Sequence, residues 1–207
     1  MNFDELIEIN NSSGLIIDLQ YPKLDFKYAI NRCLVRKEVL DKLLLAKLYL
    51  PSNLTFKILD AYRPFELQNE LYDYYRKIII KNFRLDQKPA EEQEQIINRY
   101  VSKPLKDKLY APPHTTGGAV DIILADKKTG KSLNMGCKFD EFSDLARTNA
   151  YEKERMDKQI RTNRRILYNA MIKAGFTNLP TEFWHYDYGN KNWAYYKNKE
   201  IKYKGVW

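Results

Sequence analysis

Gly118-Ala119-Val120-Asp121-Ile122-Ile123-Leu124 is an apolar run of strand length interrupted by one carboxylate. Glycines precede the run and a polar turn follows it at residues 126–130, so it is predicted to be a β-strand. A charged group within such a strand is costly unless a cation or several donors meet it. Just upstream stands His114-Thr115-Thr116-Gly117-Gly118, which holds one of only two histidines in the 207 residues. Its paired glycines allow a tight turn and a close backbone approach.

Before this segment, residues 54–59 alternate as a strand and run into Asp60-Ala61-Tyr62-Arg63-Pro64. Pro64 suits the first turn of a helix. Residues 65–82 then carry Leu67, Leu71, Tyr74, Tyr75 and Ile78 on one predicted buried side. Residues 36–50 repeat apolar side chains at helical spacing until Pro51-Ser52-Asn53 stops them. Residues 14–19 form a short β-rich run, 89–101 a further predicted helix and 102–113 a proline-containing loop. Later, residues 157–174 show helical periodicity, with Gly175 as C-cap. Residues 181–188 and 193–196 are predicted strands, joined at Gly189-Asn190 as a hairpin. No internal repeat or linker interrupts the chain. The expectation is an α+β fold forming a single domain over residues 1–207. Its central sheet should be antiparallel or mixed, with helices packed on one face and a cleft on the other.

A hydrophobic fraction of 44% fits a globular protein and argues against disorder. The net charge of +8 is spread over scattered lysines, as in residues 197–204, which reads as a solvated basic surface and not a nucleic-acid site. Cys33 and Cys137 form no CxxC pair, which excludes a disulfide-stapled scaffold. Free thiols are the preferred reading, with a single disulfide left open. Met1 to Glu5 is acidic where a signal peptide is basic, and no stretch approaches a membrane span. A cytoplasmic protein is expected, or a periplasmic one if a leader has been removed. Nothing indicates its oligomeric state.

The second histidine lies in Thr181-Glu182-Phe183-Trp184-His185. A catalytic zinc takes three nitrogen, sulfur or carboxylate ligands plus a water. His114, Asp121 and His185 would supply that set for one zinc per chain, leaving Glu182 as a base. Each part has a plainer reading. Asp121 could cap a turn beside a loop histidine, and His185 could be a hydrogen-bonded core residue. Glu182 and His185 match neither HExxH nor its inversion. On a regular strand, positions three apart face opposite ways. Either a bulge re-aims one of them, or Glu182 sits in the turn after Pro180. Arg63, between a strand and a helix, could bind a developing oxyanion, or could form a surface pair with Asp60 or Glu66 that contributes little. Taken together, the residues read as those of a metallopeptidase.

In this order and spacing, Tyr62-Arg63-Pro64, His114-x6-Asp121 and Glu182-x2-His185 resemble the D-alanyl-D-alanine dipeptidases of the vancomycin-resistance type. These belong to the zinc D,D- and L,D-peptidases of peptidoglycan. Asn134-Met135-Gly136 followed by Phe139-Asp140 agrees with that family, as does Asn163-Arg164-Arg165-Ile166-Leu167 running to Ala174-Gly175-Phe176. The likeness spans residues 54–188. It implies zinc ligation by His114, Asp121 and His185, with Glu182 as catalytic base. It further implies that Arg63 stabilises the transition state and that Asp140 binds the substrate's free ammonium. Asp140 could otherwise belong to the first turn of a helix. The implied reaction is hydrolysis of D-Ala-D-Ala to two D-alanines, in wall turnover, recycling or glycopeptide resistance. Two departures bear on the substrate and leave the zinc chemistry intact. Pro112-Pro113 stands where the family carries a small hydroxyl residue for the substrate carboxylate, and the family's Asn-Phe-x-Gly is absent around Tyr28 to Cys33. The alternatives are a D,D- or L,D-carboxypeptidase with an open groove, or a non-catalytic wall- or partner-binding module. The presence of both Glu182 and Arg63 argues against a pure binder.

Overall fold

Strands β4 (Leu54–Asp60) and β5 (Ala119–Asp126) pair antiparallel at the centre of a five-stranded sheet. The computed structural model describes residues 6–98, 101, 103–153 and 155–207. The strand order is β2 (Ile16–Ile17), β4, β5, β7 (His185–Asp187), β6 (Thr177–Asn178). β2 runs parallel to β4 and the remaining pairings are antiparallel, so the sheet is mixed. β1 (Ile7–Glu8) and β3 (Leu34–Val35) form a separate antiparallel pair. The helices are α1 (Lys37–Lys47), α2 (Phe65–Asn82), α3 (Ala90–Ile97), α4 (Lys158–Lys173) and α5 (Lys191–Lys197).

Alternation along β5 divides the chemistry from the core. Val120, Ile122 and Leu124 pack with Phe56 and Ile58 of β4, with Val39 and Leu43 of α1, and with Leu167 and Met171 of α4. Ile58 stands opposite Ile122, and Phe56 opposite Leu124, so these side chains share that face. Asp121 therefore points the other way, and its partner across the ladder is His185. Strict alternation would send Asp60 into the core behind Ile58. A register shift between the two instead sets Asp60 opposite Asp121, as a bulge does when it re-aims a side chain.

As expected, helices cover one face, and these are α1 and α4. α2 stands apart from them. Its Leu67 and Leu71 pack with Tyr21, and its Tyr72 and Ile79 with Ile97 of α3. Its Gln68 and Tyr75 line the cleft on the Asp121 side.

The predicted hairpin does not form. Only residues 185–187 of the first predicted strand join the sheet, and residues 193–196 lie inside α5. Asn190 acts as a helix cap, its side-chain oxygen accepting from Trp193 N at 3.1 Å. The Trp193 indole donates to Gly175 O at 2.9 Å, and its ring lies 5.1 Å from that of Tyr188. α3 is shorter than predicted. Residues 99 and 100 of that prediction, residue 102 of the predicted loop and the acidic stretch 1–5 lie outside the described residues. Cys33 and Cys137 are free, and burial pushes the Cys33 thiol up to about 12.

α4 follows its prediction closely. Asp157 caps it, accepting from Gln159 N at 2.8 Å and Ile160 N at 3.0 Å. A Schellman closure at Gly175 ends it, with Phe176 N donating to Met171 O and Gly175 N to Ile172 O. From its buried side Arg164 reaches the segment that carries Asp140. The guanidinium donates to Met135 O (2.7 Å), Leu145 O (2.7 Å) and Arg147 O (2.8 Å), and it lies over the Phe183 ring. Arg164→Met should leave three carbonyls without a charged donor. Urea unfolding should show a loss of about 3–5 kcal/mol, and a loss near zero would mean that the segment holds itself.

Candidate metal centre and cleft

Two structural devices bring the site together. The β5–β7 register sets Asp121 directly against His185. His114 arrives from outside the sheet, in a single 3-10 turn at His114–Thr116. The next residue, Gly117, adopts φ +70°, and a Cβ on Gly118 would lie 2.6 Å from the Tyr188 carbonyl. The chain can enter β5 that sharply only because both positions are glycine.

His114 Nε2 lies 3.1 Å from His185 Nδ1, His185 Nδ1 lies 3.1 Å from Asp121 Oδ1, and Asp121 Oδ1 lies 3.3 Å from His114 Nε2. A tetrahedral ion with bonds of about 2.0–2.1 Å separates neighbouring ligand atoms by about 3.3 Å, so the triangle fits one face of such an ion. The protons of the imidazoles are committed elsewhere. His114 Nδ1 faces the Ala61 carbonyl at 2.7 Å, and His185 Nε2 faces Asp187 Oδ1 at 3.1 Å. These partners place the N–H on the outer nitrogens and aim lone pairs at the common centre. Hydrogen bonds of this kind, carboxylate included, are those that orient histidines on metals.

The local charges also favour a cation at the centre. Burial alone would raise the Asp121 carboxyl, but His114 and His185 outweigh it and hold it well below the usual range. His185 is disfavoured as a cation by burial, yet Asp187 and Asp121 overcome this and raise it well above its ordinary value. All three side chains are nearly inaccessible, His114 and His185 at 4% and Asp121 at 2%.

Glu182 is not on the strand, so no bulge is needed beside His185. It lies in the turn after Pro180, with its oxygen 4.0 Å from His185 Nδ1. Asn178 fastens that turn, its amide donating to Glu182 O (3.1 Å) and His185 O (2.9 Å). The Glu182 side chain keeps 32% accessibility where it lines the cleft. Desolvation by the cleft walls nonetheless pushes the carboxyl up to about 7.

Arg63 pairs with Asp60 and not with Glu66, and the pair is buried, unlike a surface one. Nε and Nη2 donate to Asp60 Oδ2 at 3.0 and 2.8 Å, Nη1 to Gln68 at 2.8 Å, and Nη2 to the Tyr21 hydroxyl at 3.1 Å. A guanidinium has five N–H donors, so one Nη1 hydrogen is left to face the cleft. Asp121 Oδ2 lies 3.7 Å from Nη2. Asp140 is in no helix. It sits in a turn at φ +55°, with Oδ2 accepting from Tyr21 (2.6 Å) and Tyr75 (2.7 Å). Burial raises its carboxyl to about 6 against the pull of those partners and of Arg63.

The six residues singled out from the sequence line a single cleft of about 530 Å³. Pro112 and Pro113 form part of its wall. A hollow of about 610 Å³ over α4 contains none of the six. Gln68, Tyr21, Tyr75, Asn178 and Asp187 also contribute, and sequence reasoning did not single out their roles; Asp60 was weighed there only as a surface partner of Arg63. Asp187 alone carried a local signal, since it follows His185 by two residues and so shares its strand face.

The family model described as D-ala-D-ala dipeptidase matches residues 21–204, and the chain belongs to that family. Among curated proteins it is similar to a D-alanyl-D-alanine dipeptidase of Synechocystis sp. (strain ATCC 27184 / PCC 6803 / Kazusa). That relative is 32% identical over 155 residues, covering 69% of this chain and 62% of the relative. The chain thus spans less than two thirds of that relative's length. A D-alanyl-D-alanine dipeptidase of Escherichia coli (strain K12) is 27% identical over 164 residues, covering 77% of this chain and 69% of the relative. Among solved structures, a mutant of a vancomycin-resistance D,D-pentapeptidase in complex with Zn(II) aligns with a TM-score of 0.45 at 14% identity. It covers 91% of this chain and 96% of that one.

Removing the carboxylate that orients His185 should weaken metal binding without removing a ligand. Asp187→Ala should lower zinc affinity about 10–100-fold in a chelator competition, and His185→Ala should lower it further. Unchanged affinity in His185→Ala would remove this histidine from the site.

Proposed function

We propose that this chain is a zinc-dependent dipeptidase that hydrolyses D-Ala-D-Ala to two D-alanines, acting as one peptidase domain over residues 1–207. The observation that carries the reading is the triangle of lone pairs from His114, His185 and Asp121, with Glu182 and Arg63 beside it in one cleft. Family membership and the activity named for both curated relatives support it.

His114, Asp121 and His185 would hold one zinc ion. When bound there, the ion supplies Lewis acidity to the peptide carbonyl and to water. Glu182 takes the proton of the attacking water on its carboxylate and delivers it to the leaving amine. A carboxyl that burial favours in its neutral form is suited to that second step. Arg63 directs its remaining Nη1 hydrogen at the carbonyl oxygen as negative charge develops, and Asp60 and Gln68 hold the guanidinium still. Asp140, braced by two tyrosine hydroxyls, accepts the substrate's ammonium.

The direct test is release of D-alanine from D-Ala-D-Ala by the zinc-loaded protein, with a chelated control and N-acetyl-D-Ala-D-Ala alongside. Chelator-sensitive cleavage of the free dipeptide only is expected. Cleavage of the blocked peptide would make the protein a carboxypeptidase, and no cleavage of either would overturn the reading. Glu182→Ala should retain zinc and lose at least about a hundredfold in kcat, whereas near-normal turnover would exclude it as the base.

A further inference from the structure

A free dipeptide carries an anion at its far end as well as a cation, and the cleft must meet both. Asp140 offers a braced carboxylate on the α2 side. Lys191, where α5 begins, lines the same cleft. Its ammonium donates to the Tyr110 carbonyl at 3.3 Å, a neutral and partly solvated partner. Among the described residues no carboxylate lies within ion-pair distance of it. Lys103, also on the cleft wall, is exposed and acts electrostatically on Glu94.

The backbone of Lys191 is fixed relative to the metal ligands. Its two chain neighbours both bind Asp187, the carboxylate that orients His185. Asn190 Nδ2 donates to Asp187 Oδ1 at 2.5 Å, and Asn192 Nδ2 to Asp187 Oδ2 at 3.2 Å. The lysine side chain is thus mounted on the network that sets the catalytic centre, while its charged tip keeps only a weak contact. We propose that Lys191 binds the terminal carboxylate of the substrate and sets the preference for a free C-terminus. This rests on the dipeptidase reading of the same cleft. The dipeptide would then be held with its ammonium on Asp140 and its carboxylate on Lys191.

The test compares D-Ala-D-Ala with its C-terminal amide in wild type, Lys191→Gln, Lys191→Arg and Lys103→Gln, all zinc-loaded. Wild type should favour the free acid. Lys191→Gln should raise KM for the acid tenfold or more, leave kcat within about threefold and leave the amide unaffected, since one charge-assisted contact is removed from binding alone. Lys191→Arg should recover most of the preference, and Lys103→Gln should keep it. An equal loss on acid and amide, or loss of the preference in Lys103→Gln instead, would overturn the assignment. If wild type cleaves no dipeptide, the function proposed above fails separately. Calorimetric binding of the same acid and amide then decides Lys191. Acid-selective binding that disappears in Lys191→Gln upholds it, and unselective or absent binding overturns it.

Discussion

Three lone pairs, on His114 Nε2, His185 Nδ1 and Asp121 Oδ1, converge at separations of 3.1 to 3.3 Å. Arranged so, they repel one another unless they share a positive charge. The rest of the structure reads as the means of holding them in place. The β5–β7 register supplies two of the donors from strands paired residue to residue, and a glycine-dependent turn brings in the third. The Ala61 carbonyl and Asp187 claim the outer N–H groups, so neither ring can turn its proton inward without losing a buried partner.

Charge around the triangle is arranged in the same spirit. The bulge in β4 places Asp60 beside Arg63, and their buried pair also brings the guanidinium to 3.7 Å from Asp121. A buried charge of this kind is tolerable only when its donors and acceptors are nearly all met, and here four of five guanidinium hydrogens have acceptors. Glu182 and Asp140 are treated differently. Both are carboxylates facing a shielded cleft, and burial favours their neutral forms enough to raise them to about 7 and about 6. Two kinds of acid therefore coexist in one cleft: Asp121, held low by the histidines beside it, and Glu182 and Asp140, raised by burial.

Much of this was legible in the chain because its signals are local. A lone carboxylate in an apolar strand called for a cation or several donors, and any histidine-based site had only two histidines to draw on. The periodicities of α2 and α4 come from side chains three and four residues apart, so their spans were read almost to the residue. What escaped was set by pairing. No sequence pattern announces the shift between Ile58 and Asp60, because a bulge is a property of two strands together. Tyr21 reaches Asp140 across 119 positions, a contact that no window along the chain contains. The missed α5 is instructive in another way. Gly189-Asn190 is a fair hairpin signal, but the asparagine caps a helix as readily as it turns a hairpin. The burial of Trp193 against Tyr188 decided between the two.

Arg164 holds the Asp140 segment chiefly through main-chain oxygens, those of Met135, Leu145 and Arg147, with Cys137 Sγ as a longer side-chain contact at 3.7 Å. Every residue type supplies such an oxygen. Most side chains along that segment can therefore be exchanged over evolutionary time while its path, and the position of Asp140, stay anchored to α4. Selection can retune what enters the cleft from this side without rebuilding the scaffold that carries His114, Asp121 and His185.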